Sequence, residues 1–172
     1  MTQSKAEKPS LDSQPSTLAQ GGAKRVAQWM AERGIAGELI RPGKPTPTVE
    51  AAATALGVTP EQVVKSLLFL VDGDPYLVIV RGTARVDTTK LLNEVGGKKA
   101  RIATREDVER ITGFPVGGTP PFAHRTALPV LIDQGVLAME EVYAGGGSND
   151  VMLRIRSADL LQASSGNVLD VT

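Results

Sequence analysis

Cysteine is absent from the chain, which excludes disulfides, thiolate nucleophiles, zinc ribbons and iron–sulfur clusters. Histidine occurs once, as His124, so no His-rich metal site can be assembled, and neither a metal nor a cofactor is expected. Aromatic residues make up only 3% of the chain, so the core has to be built from Val, Leu, Ile and Ala. There is no apolar run of about 18 residues, the length a membrane-spanning helix requires. Met1 to Gln20 contains lysines but no apolar stretch, unlike a secretory signal. A charge excess of either sign is missing too: 19 basic residues stand against 19 acidic ones. Proteins that coat long nucleic acids are usually basic. DNA and membrane partners are therefore not expected, any RNA contact has to be local, and the expected location is cytoplasmic.

What remains is ordinary globular material. With 172 residues, 41% hydrophobic and 22% charged, the chain suits one domain with a real core. Residues 1–20, rich in Ser, Gln, Lys and Pro, read as a disordered tail, and residues 21–172 as the domain. Val26, Trp29 and Met30 share a helical face over Ala23–Arg33, with Gly34 as the stop. A short strand is expected over Glu38–Arg41, and Pro42, Pro45 and Pro47 then force an extended linker. Thr48 caps a helix over Val49–Leu56, and Thr59-Pro60-Glu61-Gln62 reads as another helix start. Two apolar runs, Lys65–Val71 and Tyr76–Val80, flank Asp72-Gly73-Asp74-Pro75, the clearest hairpin pattern in the chain. Their almost wholly apolar composition predicts a sheet covered on both faces. Further helices are expected after Asp87, Thr104 and Ser157, and further strands at 98–103, 127–132, 141–143, 151–156 and 168–171. Hairpins break any strict βαβ order. The fold class is therefore mixed α/β, a single domain with a mixed, largely antiparallel sheet.

Chemistry can reside in three places. The ten residues Thr112–Pro121 hold three glycines and three prolines. Prolines stiffen such a loop, and glycines let backbone amides approach a ligand closely. The loop is either a plain connection or a ligand cradle; the spacing does not fit a nucleotide P-loop. Ala144–Asp150 is a second glycine-rich loop, either a hairpin turn or a binding loop. Lys65, at the head of a very apolar strand, either snorkels to solvent or points into a cleft where partial desolvation makes its charge useful. A Ser-His-Asp triad would need His124 as base, and no serine is suitably placed. An enzyme built from amides, a lysine and the substrate's own groups suits only an activated substrate such as an aminoacyl ester. Lys98, Lys99, Arg101 and Arg105, and a smaller group of Arg81 and Arg85, are either solvated surface or phosphate contacts.

These segments resemble a known family. Val63-Val64-Lys65-Ser66-Leu67 looks like the lysine motif of the YbaK/ProX group, and Gly117-Gly118-Thr119-Pro120-Pro121 matches its GxxxP loop. Gly145–Asp150 resembles its later glycine loop, and the whole is similar to the editing insertion of bacterial prolyl-tRNA synthetases. The resemblance implies a sheet or barrel surrounded by helices. It also implies hydrolysis, in trans, of the ester of a mischarged aminoacyl-tRNA, above all tRNA for proline carrying a small wrong amino acid. Lys65, Gly117 and Gly118 would be the catalytic residues by this resemblance. Thr119, Pro120, Pro121, Gly146, Gly147, Ser148 and Asp150 would bind substrate. The implied partners are the acceptor end of mischarged tRNA and prolyl-tRNA synthetase. The alternative function is a non-catalytic module that holds tRNA ends or aminoacyl compounds. Two departures stand out: Thr119 occupies a position where cysteine-editing relatives differ, and Met152-Leu153-Arg154 stands where synthetase-embedded relatives often carry a histidine.

Overall fold

The computed structural model describes residues 17–44 and 46–172; the first sixteen residues of the expected tail, and Pro45 of the expected linker, lie outside these. Helix α1 spans Thr17–Arg33, starting six residues before the expected Ala23. The helix thus takes in residues 17–20 of the expected tail, and Gly21 and Gly22 sit inside it.

The hairpin forms the centre. Strands β2 (Val64–Val71) and β3 (Asp74–Arg81) pair antiparallel in register Val71↔Asp74. Their two-residue turn has φ 50° at Asp72 and φ 89° at Gly73, the doubly left-handed conformation for which Asp-Gly is favoured. Leu77, Val78, Ile79 and Val80 are all fully buried. Side chains alternate across a strand, and here the alternation divides the core. Leu77 and Ile79 join Val26, Phe114, Ile132 and Leu153 on one side, while Val78 and Val80 join Leu91 and Val171 on the other. The wholly apolar run is thus explained by a sheet covered on both faces.

Around the hairpin the sheet is mixed. Strand β4 (Ala100–Ile102) pairs antiparallel with β2, and β5 (Val130–Asp133) parallel with β3. Strand β8 (Asn167–Leu169) pairs parallel with β5, giving the order β4-β2-β3-β5-β8. A second, antiparallel sheet joins β1 (Glu38–Ile40), β7 (Met152–Arg156) and β6 (Glu141–Gly145) in the order β1-β7-β6. A parallel bridge between Val63 and Tyr143 ties the two sheets at the start of β2. Helices α2 (Val49–Leu56), α3 (Thr88–Val95) and α4 (Arg105–Thr112) begin at the side-chain caps Thr48, Asp87 and Thr104 that the sequence suggests. Each ends on a left-handed glycine, Gly57, Gly96 and Gly113 in turn.

Two expectations are corrected, and one element is new. Thr59–Gln62 starts no α-helix: a single 3-10 turn over Pro60–Gln62 leads straight into β2, because the β-branched Val63 and Val64 are buried in the sheet instead. Ser157 is the first residue of α6 (Ser157–Ser164), not its cap, and its hydroxyl donates to the Met139 carbonyl at 2.5 Å. A short helix α5 (Gln134–Leu137), unforeseen in the sequence, follows β5, started by the Asp133 carboxylate, which accepts from the Gly135 amide at 2.9 Å.

Gly21 and Gly22 make a matched pair on one helix. A Cβ on Gly21 would meet nothing within 4 Å, whereas one on Gly22 would lie 1.9 Å from the Gly147 carbonyl oxygen. Gly21→Ala should stabilise the protein by up to about 1 kcal/mol through helix propensity. Gly22→Ala should lower the melting temperature, since backbone must shift to admit it. Thermal melts of the two variants check the opposite signs.

Candidate active site

A cleft of about 940 Å³ opens between the linker that follows β1, the start of β2, and the loops 113–124 and 145–150. Its wall is mostly apolar, with Val63, Leu67, Leu68, Val108 and Met152 among the lining side chains. Of the residues expected to act, Lys65, Gly117, Thr119 and Asp150 line this cleft. Gly118, Pro120, Pro121, Gly146, Gly147 and Ser148 are buried behind it.

Lys65 is the second residue of β2, opposite Val80. Its flanking neighbour Val64 is 3% exposed, whereas Lys65 is half-buried and faces the cleft. The ammonium donates to the Gly82 carbonyl at 3.3 Å. Burial pushes its pKa below the usual 10.5, the Arg85 charge pushes the same way, and Glu50 on α2 opposes them. A lysine so held is a fixed positive charge with a proton to donate.

The loop after α4 is pinned at both ends. The Arg125 amide donates to the Thr112 carbonyl at 2.9 Å, closing the loop, and the buried Thr112 hydroxyl accepts from the Phe114 amide at 3.1 Å. Phe114 is fully buried, and Phe122 stacks on Trp29 of α1 with ring centroids 4.7 Å apart. Two of the three phenylalanines in the chain are thus spent on anchoring this loop. Inside it, the Pro115 carbonyl accepts from the Gly118 amide at 3.1 Å and from the Thr119 hydroxyl at 3.0 Å. Those two groups close a tight turn and face the protein. Pro120 and Pro121 have no N–H. Among the residues from Gly117 to Pro121, the amides left without a protein partner are those of Gly117 and Thr119, both lining the cleft.

The two glycine loops are packed backbone on backbone. The Gly147 amide donates to the Gly118 carbonyl at 2.9 Å. A Cβ on Gly118 would lie 2.7 Å from the Ser148 carbonyl carbon, and one on Gly145 would lie 2.4 Å from the Thr119 oxygen. Gly146 and Gly147 therefore shape the site from behind. Ser148 is 1% exposed and donates to Asp150 Oδ1 at 2.7 Å, aiming that carboxylate at the cleft.

His124 stands outside the cleft lining. Its Nε2 lies 2.8 Å from the Pro120 carbonyl oxygen and its ring meets Phe114 edge-on. It props the loop, and no hydroxyl is shown bonded to it. The basic residues are scattered. Lys98, Lys99, Arg101 and Arg105 are exposed, Arg101 pairing with Asp107, whereas Arg81 is half-buried with a buried, unpartnered Nε. Sequence reasoning missed Arg41, Lys44 and Ser66 as lining residues, along with the exposed Ile102 and Val116 at the cleft's edge. Only Ser66, next to Lys65, had a neighbour that pointed to it.

Fold and site together define a small mixed α/β domain in which Lys65, Gly117 and Thr119 line one mostly apolar cleft, and among the described residues no acidic or histidine cluster is placed to hold a metal ion. The chain belongs to the aminoacyl-tRNA editing domain family, whose profile matches residues 43–163. It is similar to the proline–tRNA ligase of Maridesulfovibrio salexigens, 36% identical over 117 residues, which cover 68% of this chain and 20% of the ligase. A similar match, 36% over 98 residues, covers 57% of this chain and 17% of the ligase from Geobacillus thermodenitrificans. The chain thus spans about a fifth of the length of these relatives. Among solved structures it resembles a protein proposed to be a trans-editing enzyme for prolyl-tRNA synthetase. The TM-score is 0.81 at 36% identity, covering 87% of this chain and 96% of that one. A hypothetical protein matches with a TM-score of 0.80 at 34% identity, covering 86% and 98% of the two chains.

Burial lowers the pKa of His124 below its usual 6.5, with the Arg25 charge acting the same way and the bond to Pro120 opposing. In the window just below pH 6.5 the unfolded chain therefore takes up a proton that the folded one refuses, and stability falls as pH drops. His124→Gln should remove this slope. Urea titrations at pH 7.5 and 5.5 test it; an equal loss in wild type and variant would contradict it.

Proposed function

We propose that this protein hydrolyses the ester of a mischarged aminoacyl-tRNA in trans, removing a small wrong amino acid, with tRNA for proline as the leading substrate. The observation that carries the reading is the meeting of the Lys65 ammonium with the unpartnered amides of Gly117 and Thr119 around one cleft. Family membership and the likeness to proline–tRNA ligases support it. Water attacks the ester carbonyl carbon, and the bond to the ribose oxygen breaks. The amino acid leaves as its carboxylic acid and the ribose regains its hydroxyl. In this reading Lys65 and the loop amides stabilise the oxyanion as it develops. Such donors act strongly where water is excluded. The lining residues include no paired base and nucleophile, so the water is activated by the substrate's own amine or neighbouring hydroxyl. Gly118, Gly146 and Gly147 serve by keeping the cradle in shape, and Asp150 contacts the substrate. The protein would work in the cytoplasm, beside prolyl-tRNA synthetase.

Release of labelled amino acid from a panel of mischarged tRNAs tests the reading. Hydrophobic pockets separate neighbours differing by one methylene by only about 1–3 kcal/mol, so alanine, serine and cysteine should overlap, and Phe or Tyr should be poor. Lys65→Ala should lower the rate by on the order of 10²-fold, as expected for loss of a main electrostatic stabiliser, with circular dichroism unchanged. The contribution of Lys65 should also fade as its ammonium deprotonates, beginning below pH 10.5. Near wild-type turnover by the alanine variant, or no release from any tRNA, would refute the assignment.

A further inference from the structure

Arg41 lies just after β1, two residues before the family match begins at residue 43. Its Nη1 donates to Asp150 Oδ2 at 2.5 Å. Its Nε and Nη2 are buried and have no partner. These two atoms share one edge of the guanidinium plane, the edge that takes two oxygens of a carboxylate or phosphate side by side. A buried donor left without an acceptor is costly, and here two lie together on a residue that lines the cleft. The side chain is 15% exposed, and its charge is only partly answered, since Asp150 also accepts from Ser148. The local charge agrees: the cleft is lined by Arg41, Lys44 and Lys65 against the single carboxylate of Asp150, although the whole chain is neutral.

We propose that Arg41 is the oxyanion-binding residue of this cleft and that its ligand is the phosphodiester joining the last two nucleotides of the RNA. The proposal rests on the deacylase reading. In an aminoacyl-RNA the amino acid's carboxylate is consumed by the ester, so the nearest oxyanion to the reacting carbonyl is that phosphodiester. Asp150 keeps hold of Nη1, and the guanidinium turns about that contact to bring its buried Nε–Nη2 edge to the entering phosphate. Lys65 at the ester and Arg41 at the phosphate then bind the terminal nucleotide at two points, which fixes the ester against the loop amides.

The test compares two substrates carrying the amino acid that the tRNA panel selects. One is esterified to cytidylyl-adenosine, which has the phosphodiester, and the other to adenosine, which does not. Arg41→Lys keeps the charge and loses the fork. Its kcat/KM should fall at least about tenfold more on the dinucleotide ester than on the adenosine ester, as loss of a charge-assisted bidentate contact requires, with the extra loss in KM. Each ratio is taken within one protein preparation, so partial misfolding cancels. An equal fall on both substrates, or no fall on either, would overturn the proposal while leaving the deacylase reading standing. A wild-type protein inactive on every ester would overturn both.

Discussion

The close approach of two glycine loops sets the geometry on which the site depends. Gly118 and Gly147 touch through their backbones, and the stack continues to Gly22 of α1, whose oxygen would lie 2.5 Å from a Cβ on Gly147. Three segments remote in sequence thus meet at points where even a methyl group has no room. Glycine is needed here for proximity, and at Gly117 and Gly147, with φ 85° and 101°, also for conformation. The prolines complete the arrangement by removing donors and stiffening the chain, so that between Gly117 and Pro121 the amides without a protein partner are those of Gly117 and Thr119, both cleft-lining residues.

The same economy governs charge. Lys65 sits on a strand that is otherwise apolar except for Ser66, and its half-buried side chain lines the cleft while Val64 before it packs into the core. Partial desolvation raises the value of its charge for a ligand while holding its proton less tightly. Asp150 is oriented by Ser148 and Arg41 together. The cleft therefore carries a fixed, unequal distribution of charge inside a protein that is neutral as a whole, which suits one end of a polyanion better than its length.

Helix α1 lies outside the family match yet supports the site directly. Trp29 stacks on Phe122 at the far end of the proline loop, Arg25 lies over Phe114 at its near end, and Gly22 backs the second glycine loop. With aromatics so scarce, their concentration at this junction shows where packing must be rigid: large planar side chains fix a loop that has no hydrogen-bond ladder of its own.

Local chemistry made much of this legible in the sequence. The Asp72-Gly73 turn, the caps Thr48, Asp87 and Thr104 and the glycine stops act within a few residues, so their order along the chain determines them. The two-sided burial of β2 and β3 follows from composition alone. Lys65 and the Gly117–Pro121 loop were recognisable because a lysine before an apolar strand and a GxxxP loop are unusual. Long-range contacts decided the rest. The parallel pairing of β5 with β3 and β8, the division of strands into two sheets, and the conversion of Thr59–Gln62 to a single turn depend on which surfaces meet. The functional split within the glycine loops was equally hidden. The sequence lists Gly117, Gly118, Gly146 and Gly147 alike, and only packing shows which line the cleft and which stand behind it. Arg41 looked like the end of a short strand, and it took the folded chain to place its unpartnered fork beside Asp150, 109 positions away, because a hydrogen bond between distant residues leaves no periodicity for a sequence to display.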